Sequence, residues 1–342
     1  MSKTQSSVSE DKSKSSDELK TKNKDKSVDK KDDESKVKAQ SQSKECRDVD
    51  EDKDKDKDKD KDKDKTFKLP DNDINLLKQK NYTIGDAISS GTFSTVCKAF
   101  KTTDKEKETI AVKIINIEKC SEDVKKKFIP RELYAMTKLK HPNIIAVLNI
   151  FTITNRVYVF MELAQGGDIL DLLKKETLGE TKTKCLYKGL AEAIKYIHSK
   201  GFAHRDIKCE NCLLNKERTV VKIGDFGFSR TCFDTTTGQR VLSTTYCGSI
   251  AYAAPEILSA EPYNAMISDV WSMGIVLYVM VEKDLPFDDK DMKKMIKFQK
   301  NCKYGLNDKL SDNFKDLIRK HLEPDPKKRY TISQVLDHKW FK

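Results

Sequence analysis

The run His204-Arg205-Asp206-Ile207-Lys208-Cys209-Glu210-Asn211 gathers a carboxylate, an ammonium and a side-chain amide into one short stretch. Asp225-Phe226-Gly227 and Ala254-Pro255-Glu256 follow it, and Ala111-Val112-Lys113 stands upstream, at the end of an apolar run of β type. Carboxylate and amide oxygens suit a hard cation. Lysine is a compact point charge that suits phosphate. With a further aspartate able to take a hydroxyl proton, this set matches what phosphoryl transfer asks of a protein, which is positioning and electrostatic stabilisation with little covalent work.

Such groups need elements to hold them. Short β-rich runs at 82–88, 95–100 and 109–117 predict the start of an antiparallel sheet. A helix is predicted from Ser121, with Phe128, Leu133, Met136 and Leu139 as its apolar stripe and His141-Pro142-Asn143 as its end. Strands at 145–151 and 156–162 complete a small sheet, and Gly166-Gly167 breaks the pattern. Helices are then predicted at 169–174, 182–199, 267–281, 291–299, 312–321 and 333–338. The expected fold is α+β and bilobal: a β-rich N-lobe with one helix, about 82–163, and a larger, mainly helical C-lobe, about 168–341. A cleft between two such lobes is where ligand sites commonly form.

Residues 1–75 read as a disordered tail rich in Lys, Asp and Ser. The first 65 contain no aromatic residue, and 52–65 alternate Asp with Lys. Those 65 residues hold 20 basic and 20 acidic side chains, so the formal +11 belongs to residues 66–342. That charge is compatible with anionic partners, but no finger spacing or aromatic-basic motif points to nucleic acid, and no specific nucleic-acid partner is expected. No run of 18 apolar residues occurs and the Met1 end is polar, so no membrane association is expected. Nine dispersed cysteines fit reduced thiols, and Cys209 and Cys212 lack a second ligand pair for zinc. The expectation is a cytoplasmic monomer, with the nucleus left open.

In residue type, spacing and order, these motifs resemble those of eukaryotic protein kinases. The resemblance implies ATP and Mg²⁺ as cofactors. It makes Asp206 the residue that accepts the substrate proton, Lys208 the serine/threonine-type lysine beside the transferring phosphoryl, Lys113 the partner of the α- and β-phosphates, and Glu132 the holder of that lysine. Asn211 and Asp225 would hold metal. Ile88, Gly91, Val96, Ala111, Lys113, Met161, Glu162, Leu163, Ala164, Asp168 and Leu213 would line the nucleotide site. Glu256 with Arg329 would be a buried scaffold pair, and Met136, Val147, His204 and Phe226 a packed spine. The phosphate-covering loop departs from G-x-G-x-x-G-x-V: it reads Ser89-Ser90-Gly91-Thr92-Phe93-Ser94-Thr95-Val96 and keeps one glycine. The alternative is a catalytically impaired pseudokinase acting as a scaffold.

Cys247-Gly248-Ser249-Ile250-Ala251-Tyr252-Ala253-Ala254-Pro255-Glu256 resembles the calmodulin-dependent kinase group. Phe128-Ile129-Pro130-Arg131-Glu132-Leu133, Leu285-Pro286-Phe287-Asp288-Asp289 and Leu322-Glu323-Pro324-Asp325 narrow the resemblance to the testis-specific serine kinases. It implies activation by phosphorylation of Thr245, by an upstream kinase or by autophosphorylation, with Arg205 and Arg230 receiving the phosphate. From Asp168 it implies protein substrates with an arginine three residues before the target Ser or Thr. A role in spermatogenesis is implied by the family alone.

Overall fold

The computed structural model describes residues 68–342 except Thr235; the acidic-basic segment expected to form the tail lies, as far as residue 67, outside the described residues. Five antiparallel strands form the N-lobe sheet: β1 (Tyr82–Ser90), β2 (Ser94–Thr102), β3 (Lys107–Asn116), β4 (Val147–Ile153) and β5 (Arg156–Met161), in the order β1-β2-β3-β5-β4. Side chains alternate across a strand, so β3 and β5 each feed two cores. Val112, Ile114, Tyr158 and Phe160 pack on one face with Leu77, while Ile115, Val157 and Val159 join the cluster of Ala135 and Met136 on the other.

Leu77 belongs to helix α1 (Asp71–Gln79), whose first five residues fall inside the stretch read from sequence as tail. Nine residues are too few for a helical period to stand out, and an isolated helix of that length is marginal in water. What holds it is tertiary. Leu77 is buried against the sheet, worth about 2 kcal/mol by area, and Leu69 and Leu76 pack beside it.

The helix predicted from Ser121 is interrupted by a π-helical stretch at Val124–Phe128 before the regular α2 (Ile129–Lys138). Pro130 explains the irregularity: it has no N–H to donate one turn back, and its ring crowds the carbonyl there. The C-lobe contains α3 (Ile169–Lys175), α4 (Glu180–Ser199), the short strands β6 (Phe202–Ala203), β7 (Cys212–Leu214), β8 (Val221–Ile223) and β9 (Arg230–Thr231), then α5 (Pro255–Leu258), α6 (Ala265–Glu282), α7 (Met292–Lys300), α8 (Asp312–His321) and α9 (Ile332–Leu336). Among the described residues α6 alone has the length and apolar character of a membrane span, with mean hydropathy 1.4, and 83% of it is buried inside the lobe, as a core helix is. The expected Glu256–Arg329 pair is bidentate, at 2.7 and 2.9 Å, and ties α5 to the loop before α9. At the linker, Gly166 has no room for a side chain, since a Cβ would lie 2.1 Å from the Asn215 carbonyl oxygen.

Candidate active site

β3 pairs with β2 and β5 so that Val96 lies opposite Lys113, Ala111 opposite Met161 and Lys113 opposite Val159. Directly paired residues share a face of the sheet. Val96, Ala111, Lys113 and Met161 therefore project together, and Lys113 on that face reaches α2 and the C-lobe. Its Nζ donates to Glu132 Oε1 at 2.6 Å and to Asp225 Oδ1 at 2.9 Å. Burial alone would lower the pKa of this ammonium, but Asp225 and Glu132 overcome that and hold it well above the ordinary lysine value. Lys113 is thus a fixed positive charge, aimed by two carboxylates from different lobes.

Asp206 and Asn211 form a second knot. Asn211 Nδ2 donates to the Asp206 carbonyl at 2.8 Å and to its Oδ2 at 3.0 Å. Asp206 Oδ1 accepts from both the backbone N–H and the hydroxyl of Ser249, each at 3.1 Å. Lys208 Nζ lies 3.5 Å from Asp206 Oδ2 and donates to Ser249 Oγ at 2.7 Å. Ser249 completes this network, and sequence reasoning did not select it. The one available signal was its place just after Gly248, whose φ of +91° suits glycine and where a Cβ would lie 2.4 Å from the Arg205 carbonyl oxygen.

The backbone beneath is strained. Arg205 and Asp225 both adopt left-handed conformations, φ 66° and 55°, which cost a non-glycine residue free energy and persist only where the surroundings enforce them. Asp269 of α6 does the enforcing at Arg205. Its carboxylate, 1% exposed, accepts from Arg205 N at 2.8 Å, His204 N at 2.8 Å and His198 Nε2 at 2.9 Å. Of the expected spine, Phe226 packs on the ring of His204 at 5.1 Å, and Phe226, Met136 and Val147 belong to the same extended core.

The remaining nucleotide-site candidates lie on β1, the β1–β2 turn, β7 and the linker. Leu213 of β7 bridges Asp168 and stands beside Gly224, next to Asp225. Leu163 and Ala164 are half-buried in the linker, and Ile88 on β1 is 55% exposed. Gly91 closes the β1–β2 turn, its N–H donating to the Ser94 carbonyl at 2.8 Å. Glu162 is half-buried and its side chain is engaged. Its Oε1 is committed to Ala146 N at 2.7 Å and Lys222 Nζ at 2.9 Å.

As donors, the Asn211 side-chain carbonyl and the Asp225 carboxylate fit magnesium, which prefers a few oxygens and completes its octahedron with phosphate and water. Among the described residues no three His, Cys, Asp or Glu side chains form a metal cage, and such an ion needs none. Cys209 and Cys212 are fully buried, and burial pushes both thiols up, which keeps them protonated.

Asp168 caps α3, accepting from Asp171 N at 2.8 Å. Burial raises its pKa against that bond, and the nearby carboxylates of Asp171 and Glu210 add to the rise. Glu210 Oε2 is buried without a hydrogen-bond partner among the described residues. Burial and the charge of Arg205 push the guanidiniums of Arg131 and Arg230 below the ordinary value, so three arginines crowd one another. Arg131, on α2 beside Glu132, was not selected from sequence. Arg230 Nη1 donates to Ser243 Oγ at 3.3 Å, whereas half-buried Thr245 is held through its carbonyl, which accepts from Tyr263 OH at 2.9 Å.

Residues 82–341 match the protein kinase domain. The chain is 39% identical over 273 residues to testis-specific serine/threonine-protein kinase 2 of Mus musculus, covering 79% of this chain and 75% of that protein. It is 41% identical over 269 residues to testis-specific serine/threonine-protein kinase 3 of the same species, covering 78% and 98%. CBL-interacting protein kinase 9 of Oryza sativa subsp. japonica is 34% identical over 262 residues, covering 76% and 56%. The lysine held between lobes, the Asp206–Asn211–Ser249 knot and these likenesses agree: the chain is a protein serine/threonine kinase and belongs to the testis-specific serine/threonine kinase family.

Proposed function

We propose that this kinase acts on serine and threonine hydroxyls that follow basic residues, and that phosphorylation of its own loop activates it. The observation that carries the catalytic part is Lys113, held by Glu132 and Asp225 at 2.6 and 2.9 Å. Lys113 pairs with the α- and β-phosphates, Asp206 orients the incoming hydroxyl and takes its proton, and Lys208, steered by Ser249, steadies the moving phosphoryl. The protein kinase fold uses ATP with Mg²⁺, which neutralises phosphate charge; Asn211 and Asp225 would hold it here. A phosphotransfer assay with Asp206→Asn as control tests the reading, and a wild-type protein inactive on basic peptides after loop phosphorylation would end it.

The preference for basic sequence rests on Asp168 and the unpartnered oxygen of Glu210. Carboxylates held close together in a partly buried place gain by receiving a guanidinium. A peptide array should favour Arg three residues upstream of the target, and Asp168→Ala should flatten that preference; an array without it refutes the assignment.

Regulation is assigned to the crowded Arg131, Arg205 and Arg230. Like charges gathered near one another favour a dianion beside them, and a loop phosphate supplies one. Thr245 remains the proposed acceptor, with Ser243 on Arg230 as the competing hydroxyl. Mass spectrometry of the active protein, with Thr245→Ala and Ser243→Ala assayed beside it, separates the two. From the relatives' names we infer a role in spermatogenesis, which expression confined to tissues outside the testis would exclude.

A further inference from the structure

We propose that α1, which precedes the stretch matched by the protein kinase domain, is part of the frame that aims Lys113, and that Asp73 on α1 is a positioning residue acting through Tyr158. The inference rests on the reading of Lys113 as the phosphate-pairing lysine. Asp73 is 1% exposed, in the interior of the N-lobe, where a carboxylate belongs only if it is paired. It accepts from Tyr158 OH at 2.5 Å and lies 3.6 Å from Arg156 Nη1. Both partners are on β5.

Tyr158 pairs with Ile114, and the next pair along the ladder is Lys113 with Val159. Asp73 therefore grips the sheet from behind, one residue from the lysine, on the face opposite the cleft. Burial and the contact with Asp73 raise the Tyr158 pKa far above that of a free phenol, so it stays a donor at any working pH. The segment after α1 is fastened as well. The Asn81 carbonyl accepts from Thr102 N at 2.9 Å, Tyr82 OH bonds Asn149, and Lys80 lies over the Phe151 ring at 5.1 Å. These contacts fasten the chain that follows α1 to β2 and β4, which limits how far α1 can move apart from the sheet. A buried charge with a phenol and a guanidinium as partners costs more than an apolar contact would, and a helix needed only to cover Leu77's neighbours has no use for it. It does fix the angle of β5, and through the ladder that of β3.

The test uses the full-length protein, with KM for ATP and KM for a basic peptide measured separately. Asp73→Ala and Tyr158→Phe should each raise the KM for ATP about 5-fold while leaving the peptide KM within about 2-fold, because only the nucleotide-holding strand is loosened. Asp73→Asn keeps an acceptor for Tyr158 and should restore most of the ATP affinity. The double variant Asp73→Ala with Tyr158→Phe should be no worse than Asp73→Ala alone, since Tyr158→Phe removes a contact that Asp73→Ala has already removed. Unchanged KM for ATP in folded variants, whatever their melting temperature, would overturn the proposal and leave α1 a cover only. Equal rises in both KM values, or additive effects in the double variant, would overturn it too. If Asp73→Ala does not fold, Tyr158→Phe, which loses a single oxygen, decides. Lys113→Met in the same assay tests the underlying reading: if it keeps wild-type KM and kcat, Lys113 itself has been misassigned.

Discussion

Asp269 Oδ1 accepts the backbone N–H of Arg205 at 2.8 Å, while the φ of Arg205 is +66°. The two facts belong together. A left-handed non-glycine residue stays in place only if something outside the loop holds it, and here the holder is a carboxylate on α6 that also takes His204 N and His198 Nε2. Asp269→Ala leaves three donors without an acceptor in a buried place, which costs about 3–5 kcal/mol. In thermal unfolding that should lower the melting temperature by about 10 °C, and the released loop should lose kcat as well. A shift of about 2 °C or less would mean that the loop holds its own shape.

Ser249 is the hinge of the second prediction. It donates to Asp206 and accepts from Lys208, so it sets the distance between the proton acceptor and the lysine beside it. Ser249→Ala should lower kcat about 10- to 100-fold, equivalent to ~1–3 kcal/mol in the transition state, with KM for ATP unchanged. Ser249→Thr keeps the hydroxyl and should recover most of the rate. A loss confined to KM for ATP would place Ser249 in nucleotide binding instead.

What was legible in the sequence follows from distance along the chain. Strands and long helices announce themselves through local periodicity, and Asp206, Lys208 and Asn211 sit within one contiguous string. Lys113, Glu132 and Asp225 are far apart in sequence, and only resemblance to protein kinases joined them before the geometry did. Ser249 and Asp269 lie 43 and 64 residues from the atoms they hold, and no local pattern marks a serine or an aspartate for such work. α1 was hidden for a different reason: its stability comes from the sheet beneath it, and its own residues carry too short a period to show. Glu162 was selected only through the resemblance to protein kinases, which says nothing of the side chain's turn to Lys222.

Gly91 separates nucleotide contact from folding. It is the one glycine kept in the loop, yet a Cβ there would meet only the Ser94 carbonyl oxygen, at an ordinary 3.7 Å. If its value lies in letting phosphate approach the backbone, Gly91→Ala should leave the melting temperature nearly unchanged and raise KM for ATP several-fold. Titration of a nucleotide analogue alongside thermal unfolding checks both. A large fall in stability with unchanged nucleotide affinity would show that the glycine serves the turn alone.

Acid sensitivity should centre on His321. This ring is fully buried on α8, with Nδ1 2.8 Å from the Val270 carbonyl and Nε2 2.9 Å from Tyr187 OH. A carbonyl can only accept, so Nδ1 carries the proton and Nε2 accepts from the tyrosine. Both partners suit the neutral ring, and what opposes the charged one is burial. Burial lowers its pKa from the ordinary 6.5 to about 4. The folded state thus resists protonation that the unfolded state accepts, so the stability from this group is complete above pH 6.5 and is lost as pH falls toward 4. The linked loss is ~3 kcal/mol at most. Chemical unfolding across that range should show a fall in wild-type stability that is smaller in His321→Gln, a variant weaker at pH 7.5 but without the titrating ring. If both proteins lose stability in parallel between pH 6.5 and 4, the acid response belongs to other groups.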